Sequence, residues 1–299
     1  MRRPGDALAH AHPVVAFAFF TLAVGGAMVF LHPVLSAVTL AAAVAYSIYL
    51  NGRRAVKFTL LGMLPLLIGA AVFNPLFSHA GVTILAYLPD GNPLTLESIV
   101  YGWFAGAMLA AVITWFACSN QVLTSDKIQY MFGRALPALS LLFSMALRFV
   151  PRLKAQAKVI AYAQRGMGRS LTGGNVLRRA RAGLSLLSIL ITWALENSVE
   201  VADSMRSRGH GLPGRTAFHL FRLDRRDRRV LAVFAVALAV FSAAAVSSLT
   251  EMTFYPALSL PPVNALSVAA WIAYAAVLFT PLALNSAEEL TWRRMSSKG

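Results

Sequence analysis

Six uncharged stretches decide what this chain can fold into. Val14–Leu31, Val34–Leu50, Phe58–Phe77, Ile99–Cys118, Val230–Leu249 and Val263–Leu284 contain no Asp, Glu, Lys or Arg. Each comes near the roughly 20 residues a helix needs to cross the hydrocarbon of a bilayer. A surface helix in water needs only one apolar face, so a soluble domain has no use for so many apolar runs. Composition agrees: 58% of residues are hydrophobic, 13% are charged and the mean hydropathy is +0.63. One or two soluble domains do not look like that. The fold class these features predict is all-α, a polytopic membrane protein with six clear transmembrane helices.

Charge orients the spans. The chain carries a formal +15, and 19 of its 27 Lys and Arg lie between Ser119 and Arg229. Cationic loops stay on the cytoplasmic side, where anionic headgroups also attract them, so the excess speaks for topology and membrane lipids and not for nucleic acid. The loop with Arg53, Arg54 and Lys57, the basic centre and the tail with Arg293, Arg294 and Lys298 are therefore expected inside. The turn at His32–Pro33 and the linker Ser78–Glu97, which holds Asp90 and no base, face outward. Both termini come out cytoplasmic. The start of the chain, MRRPGDALAHAHP, shows no small-residue cleavage site after a short apolar core and is not expected to be a cleaved signal peptide. His10 and His12 lack a third metal-binding neighbour, and the lone Cys118 reads as a small hydrophobe that can form no disulfide within the chain.

The centre departs from this pattern. Two further apolar runs, Ala135–Val150 and Ala182–Leu195, are each shorter than a span. If either alone crossed fully, the base-rich segment Arg152–Arg181 would lie outside, against the charge rule. They are expected to be membrane-associated helices that dip or pack, then emerge as a cytoplasmic helical hairpin. The boundaries that follow are 1–118, 119–229 and 230–299.

On a helical wheel Lys154, Lys158, Arg165 and Arg169 fall within about 60° of one another, with Leu153, Ala157, Ile160 and Met167 opposite. Pro151 suits the first turn of that amphipathic helix. Glu196, Glu200 and Asp203 share one face of the next helix, also within about 60°. The basic and acidic stripes either pair with each other or form two solvated faces. Both helices close on an Arg-Gly with a second glycine two residues on, at Arg165-Gly166-Met167-Gly168 and Arg208-Gly209-His210-Gly211. A glycine past the last turn takes the left-handed conformation that satisfies orphan carbonyls, and it leaves the preceding Arg at the tip. There the guanidinium presents a fixed fork of donors.

The run ALSLLFSMALRFVPRLKAQAKVIAYAQRGMG, followed by ADSMRSRGHGLPGRT, resembles the transmembrane coupling subunit, or T component, of energy-coupling-factor (ECF) transporters. Members carry an L-A-L-R-F-I-P element, here Met145–Pro151, leading to a first A-Q-(x)-R-G box, here Ala163–Gly166. A second box, A-(L/M)-x-x-R-G-(F/Y)-G, falls on Ser204–Gly211, with Met205, Arg208, Gly209 and Gly211 in register. The likeness is strong from about Asn120 to Thr216. The first box is shorter between Gln164 and Arg165 than in many members, and His210 stands where an aromatic is usual. What the resemblance implies is a non-catalytic scaffold whose coupling helices rest on a pair of cytoplasmic ATP-binding-cassette (ABC) ATPases and which also holds a substrate-binding membrane S component. It assigns ATPase coupling to Gln164, Arg165, Gly166, Met205, Ser207, Arg208, Gly209 and Gly211, with Arg148, Pro151, Lys158 and Glu200 in support. It implies a prokaryotic plasma membrane, no cofactor in this chain, ATP bound by the partners, and a vitamin or metal ion as cargo.

The residues allow little else. GMGRSLTGGN lacks the Gly-Lys-Ser/Thr of a phosphate-cradling Walker loop, and Ser, His and Asp are scattered with no nucleophile elbow. The uncharged spans offer no ion path for a stand-alone permease. A membrane enzyme acting on anionic lipid or polyprenyl phosphate could clamp phosphate with arginines, but it finds no carboxylate pair or metal cluster here. Gly25, Gly26, Gly62, Gly69, Gly102 and Gly106 let helices approach closely, within the fold or against a partner, and Gly102-xxx-Gly106 is the sharpest pattern.

Overall fold

A computed structural model describes residues 6–29, 31–87, 89, 91–168, 175–212, 221–247, 252–259 and 263–296. The chain is helical almost throughout and divides into two compact units, Met1–Ile128 with Phe221–Gly299, and Gln129–Leu220.

The first unit opens with a single helical turn, α1 (Ala7–His10), and continues through α2 (Pro13–Val29), α3 (Pro33–Asn51) and α4 (Arg53–Phe58). A π-helical turn, Thr59–Met63, carries α4 into α5 (Leu64–Phe77). Then come the strands β1 (Ile84–Tyr87) and β2 (Pro93–Thr95), α6 (Leu96–Val122) and the first turn of α7 (Ser125–Ala135), and after the second unit α10 (Arg225–Val246) and α11 (Ala265–Ser296). His32 stops α2 from running into α3. Its Nδ1 accepts the Val34 N–H at 3.3 Å and Pro33 occupies the first helical position, where its missing N–H costs nothing.

Six described helices are long and apolar enough to cross a bilayer: Pro33–Asn51, Arg53–Phe77, Leu96–Val122, Val176–Ser207, Arg225–Val246 and Ala265–Met295. The chain is a multi-pass, all-α membrane protein. The number matches the expectation but the membership does not. The span expected at Val14–Leu31 forms a helix of 17 residues, Pro13–Val29, and falls into the shorter apolar class. The run Ala182–Leu195, expected to be short, lies inside a helix of 32 residues, because polar flanks with good helix formers extend it at both ends. The linker Ser78–Glu97, expected to face outward, also contains more order than expected. β1 and β2 pair antiparallel, and the buried Glu97 accepts the Thr83 N–H at 3.1 Å. Asp90, and Arg169 of the basic stripe, lie outside the described residues.

An aromatic cluster holds this unit. Phe19 meets Phe20 and Trp115 edge-on at 5.1 and 5.4 Å, and Tyr46 lies 6.1 Å from Trp115. Alanines 16, 23, 42, 43, 244 and 270 are fully buried around it. In a bilayer no hydrophobic drive joins helices, so small residues that permit close packing do that work. Gly102 and Gly106 act this way inside the fold. A Cβ on Gly102 would stand 2.7 Å from the Ala70 carbonyl oxygen, and one on Gly106 would stand 2.9 Å from Ala70 Cβ, so α6 lies directly against α5. Gly26 is covered by the Tyr274 ring. At the other extreme is a buried polar cluster. Asp6 accepts from Asn285 Nδ2 at 2.7 Å and from the Tyr46 hydroxyl at 2.8 Å, and Lys127 Nζ donates to the Leu8 carbonyl at 3.2 Å. Burial holds the Lys127 ammonium below the usual lysine range, against the opposing pull of Asp6.

Candidate functional site

The second unit contains the region that the sequence marks. α8 (Pro137–Gly166) and α9 (Val176–Ser207) run 30 and 32 residues. The run Ala135–Val150 does not end before an amphipathic helix begins at Pro151. Pro151 sits within a continuous α8 and not in a first turn. Its fixed φ suits a helix, and the cost is the one hydrogen bond that its missing N–H cannot give to Leu147.

Side chains fix the pairing of the two helices. Phe149 of α8 stacks on Trp193 of α9, centroids 6.2 Å apart and planes 9° from parallel, with the Arg152 guanidinium 5.8 Å from the same indole. Further along α8, Gln164 Nε2 donates to Ser185 Oγ at 3.4 Å. Advancing along α8 therefore retreats along α9, so the helices are antiparallel and their C-terminal tips lie at opposite ends. Because Gln164 touches Ser185, the second tip stands about 34 Å from the first, at 1.5 Å for each residue from Ser185 to Arg208.

This register separates the charged stripes. Glu196, Glu200 and Asp203 continue past Trp193 towards the N-terminal half of α8, whereas Lys154, Lys158 and Arg165 lie on its other half. The pairing alternative fails on geometry, and Lys158, Glu196, Glu200 and Asp203 are all exposed.

At the first tip Gln164 is 2% exposed and its Oε1 is buried with no hydrogen-bond partner among the described residues. It braces α8 against α9 and is not a surface contact. Arg165 is exposed on the last turn. Gly166 is the last helical residue and not the left-handed one: Met167 caps the helix at φ −88° and Gly168 takes φ +76°. Met167, expected on the apolar face, is 68% exposed as a result.

At the second tip α9 ends at Ser207, whose hydroxyl donates to the Ser204 carbonyl at 2.9 Å. Arg208 is the cap, and Gly209 and Gly211 take φ +80° and +98°. The N–H of His210 reaches the Met205 carbonyl at 3.0 Å and that of Gly209 reaches Arg206 at 3.0 Å, the paired bonds of a Schellman stop. Arg148, Pro151 and Arg208 are exposed, and Met205 is half-buried. The structure thus brings Gln164–Gly166 together at one end and Met205–Gly211 at the other. Sequence reasoning missed Ser185, Phe149 and Trp193, which join the helices, and the burial of Asn197 on α9. A Trp within the apolar run Ala182–Leu195 was the available signal.

No family model matches the chain. Among curated proteins it is similar to several named energy-coupling factor transporter transmembrane protein EcfT. That of Bacillus selenitireducens is 28% identical over 192 residues, 60% of this chain and 68% of the relative. That of Lactobacillus helveticus is 33% identical over 133 residues, 42% and 48% of the two chains. That of Listeria innocua is 29% identical over 197 residues, 60% and 72%. The chain spans about half the length of the Lactobacillus relative and about two thirds or more of the other two. These relatives are named as transporter components and not as enzymes, which bears out the expectation of a non-catalytic chain.

Proposed function

We propose, taking as established this chain's likeness to the transmembrane (T) component of ECF transporters, that it couples ATP-driven motion of two cytoplasmic ABC ATPases to a separate substrate-binding membrane subunit. The observation that carries this reading is the second unit: two long antiparallel helices that each end in an exposed arginine beside a glycine-capped stop. Such a tip offers a rigid planar donor fork to a carboxylate or to backbone carbonyls on a partner. A lever of two packed helices can then pass a displacement of either tip along its axis. Arg165 and Arg208 make the ATPase contacts, held by Gly168, Gly209 and Gly211 and braced by Gln164. Leu139, Leu142, Leu184, Leu195 and Val199 are exposed on the same helices and supply apolar surface for the membrane partner. ATP binds to the partners and this chain holds no cofactor. The cargo is a vitamin or a metal ion chosen by the partner subunit. The chain sits in a prokaryotic plasma membrane with both termini cytoplasmic, in keeping with its basic loops.

The test is co-purification of the full-length chain with the ABC ATPases of its own genome, together with ATP-dependent uptake. The Arg165→Ala/Arg208→Ala double variant is expected to insert normally, lose the ATPases and abolish uptake. Full uptake by the double variant would reject the docking role.

A further inference from the structure

Aligning the two tips on their Arg-Gly pairs Arg165 with Arg208 and Gly166 with Gly209. The backbones align differently. Met167 at φ −88°, ψ 12° and Arg208 at φ −89°, ψ 11° are the two caps, and the next residue in each case is a left-handed glycine, Gly168 at φ +76° and Gly209 at φ +80°. The hydrogen bonds repeat in the same register. Met167 N donates to the Gln164 carbonyl at 3.1 Å, as Arg208 N does to Met205 at 3.2 Å. Gly168 N donates to Arg165 at 3.0 Å, as Gly209 N does to Arg206 at 3.0 Å. The geometric match is therefore shifted by two residues from the motif match, and it sets Arg165 opposite Arg206 and Met167 opposite Arg208.

Burial supports this register independently. The buried Gln164 falls on the half-buried Met205, and the exposed Arg165 falls on the exposed Arg206. The motif register would instead lay buried Gln164 on exposed Ser207. Helix direction matters here because a side chain on the last turn leans back along the helix, while a cap residue points off its end. Arg165 and Arg206 thus share one direction of approach, and Arg208 has another.

We propose that Arg206, which the motif leaves unassigned, is the second tip's counterpart of Arg165, and that Arg208 is an additional donor whose place at the first cap is held by Met167. The two tips then engage the ATPases unequally, the second through two guanidinium groups that approach from different sides. The inference rests on the docking reading above, and its test separates the two. Affinity for the ATPases is measured on the full-length chain for Arg165→Ala, Arg206→Ala, Arg208→Ala and Arg206→Lys. Arg206→Ala is expected to weaken binding about tenfold or more, as Arg165→Ala does, the loss that follows from one charge-assisted hydrogen bond. Arg206→Lys should recover part of it, since charge returns without the planar fork. Arg206→Gln keeps a long helix-forming side chain and tests the same point should the alanine variant fail to insert. Wild-type binding by Arg206→Ala, with Arg165→Ala and Arg208→Ala impaired, would overturn this assignment and leave docking standing. Wild-type binding by all three alanine variants would overturn both.

Discussion

The two units of this protein solve the same problem in opposite ways. The first buries aromatic rings and a shell of alanines and glycines, so its helices lie close enough for backbone to touch backbone. The second has two helices of 30 and 32 residues, yet the side chains buried to below a tenth of their surface among its described residues are Ile160, Gln164 and Asn197. Two of those three are polar. This helix pair fills its own interface sparingly and leaves leucines and arginines outward, which is what the docking role proposed above requires of it. The difference separates a unit whose sequence encodes its own packing from one that leaves most of its described side chains uncovered by the chain.

The largest effect that could break this contrast lies at Gly102. With the Ala70 carbonyl oxygen 2.7 Å from where a Cβ would stand, and Ala71 Cα at 3.1 Å, the obstacle is backbone and cannot rotate aside. Gly102→Leu is expected to cost about 3 kcal/mol, a large part of a typical stability of roughly 5–15 kcal/mol. Fluorescence-detected size exclusion with a thermal ramp should show aggregation or a sharply lower Tm. Leu184→Ala, on an exposed position of α9, should leave the same profile within about 0.5 kcal/mol of wild type. Equal losses from the two changes would erase the distinction between the units.

How much of this was legible follows from the same contrast. The apolar spans could be read because a bilayer demands length and lack of charge, which any sequence displays. Gly102 and Gly106 were visible as a small-residue pattern, but only the α5–α6 contact decided that they serve the fold. The Asp6–Tyr46–Asn285 cluster left no local signal, because its partners lie up to 279 residues apart. At the tips, residue types disclosed the arginines and glycines. Which glycine turns left-handed depends on where the helix stops, and the motif could not fix that to within two residues. Gln164 misled for a related reason: its neighbour in the motif faces out while it faces in.

Acid should act on the first unit through two buried histidines. Burial holds His12 and His32 below the ordinary histidine range, with Asp227 pulling His12 partly back. A lowered folded pKa means the unfolded chain binds more protons in the window just below about pH 6.5. Stability from the neutral rings is therefore present in full above that pH and is lost as pH falls through the folded values. Tm in detergent should drop by a few degrees between neutral pH and mild acid. His12→Asn combined with His32→Asn should flatten that dependence, because Asn keeps an acceptor for the Val14 and Val34 N–H groups without the titration. An unchanged slope would mean that the acid response originates elsewhere.

The smallest effect is expected at Glu200, and its smallness is informative. Were the acidic face of α9 paired with the basic face of α8, reversing its central charge would lose one attraction and gain a repulsion. The Phe149–Trp193 stack and the Gln164–Ser185 bond forbid that pairing, since the antiparallel register carries Glu200 away from Lys158 along the helix axis. An exposed charge without a close partner contributes little, within about 0.5 kcal/mol. Glu200→Lys should therefore leave both Tm and ATPase co-purification at wild-type values. A lower Tm with intact co-purification would return the two stripes to contact within the unit. The opposite result, intact Tm with lost co-purification, would make the acidic face part of the docking surface, so the pair of measurements tells whether α9 spends its charge on its neighbour, its partner or the solvent.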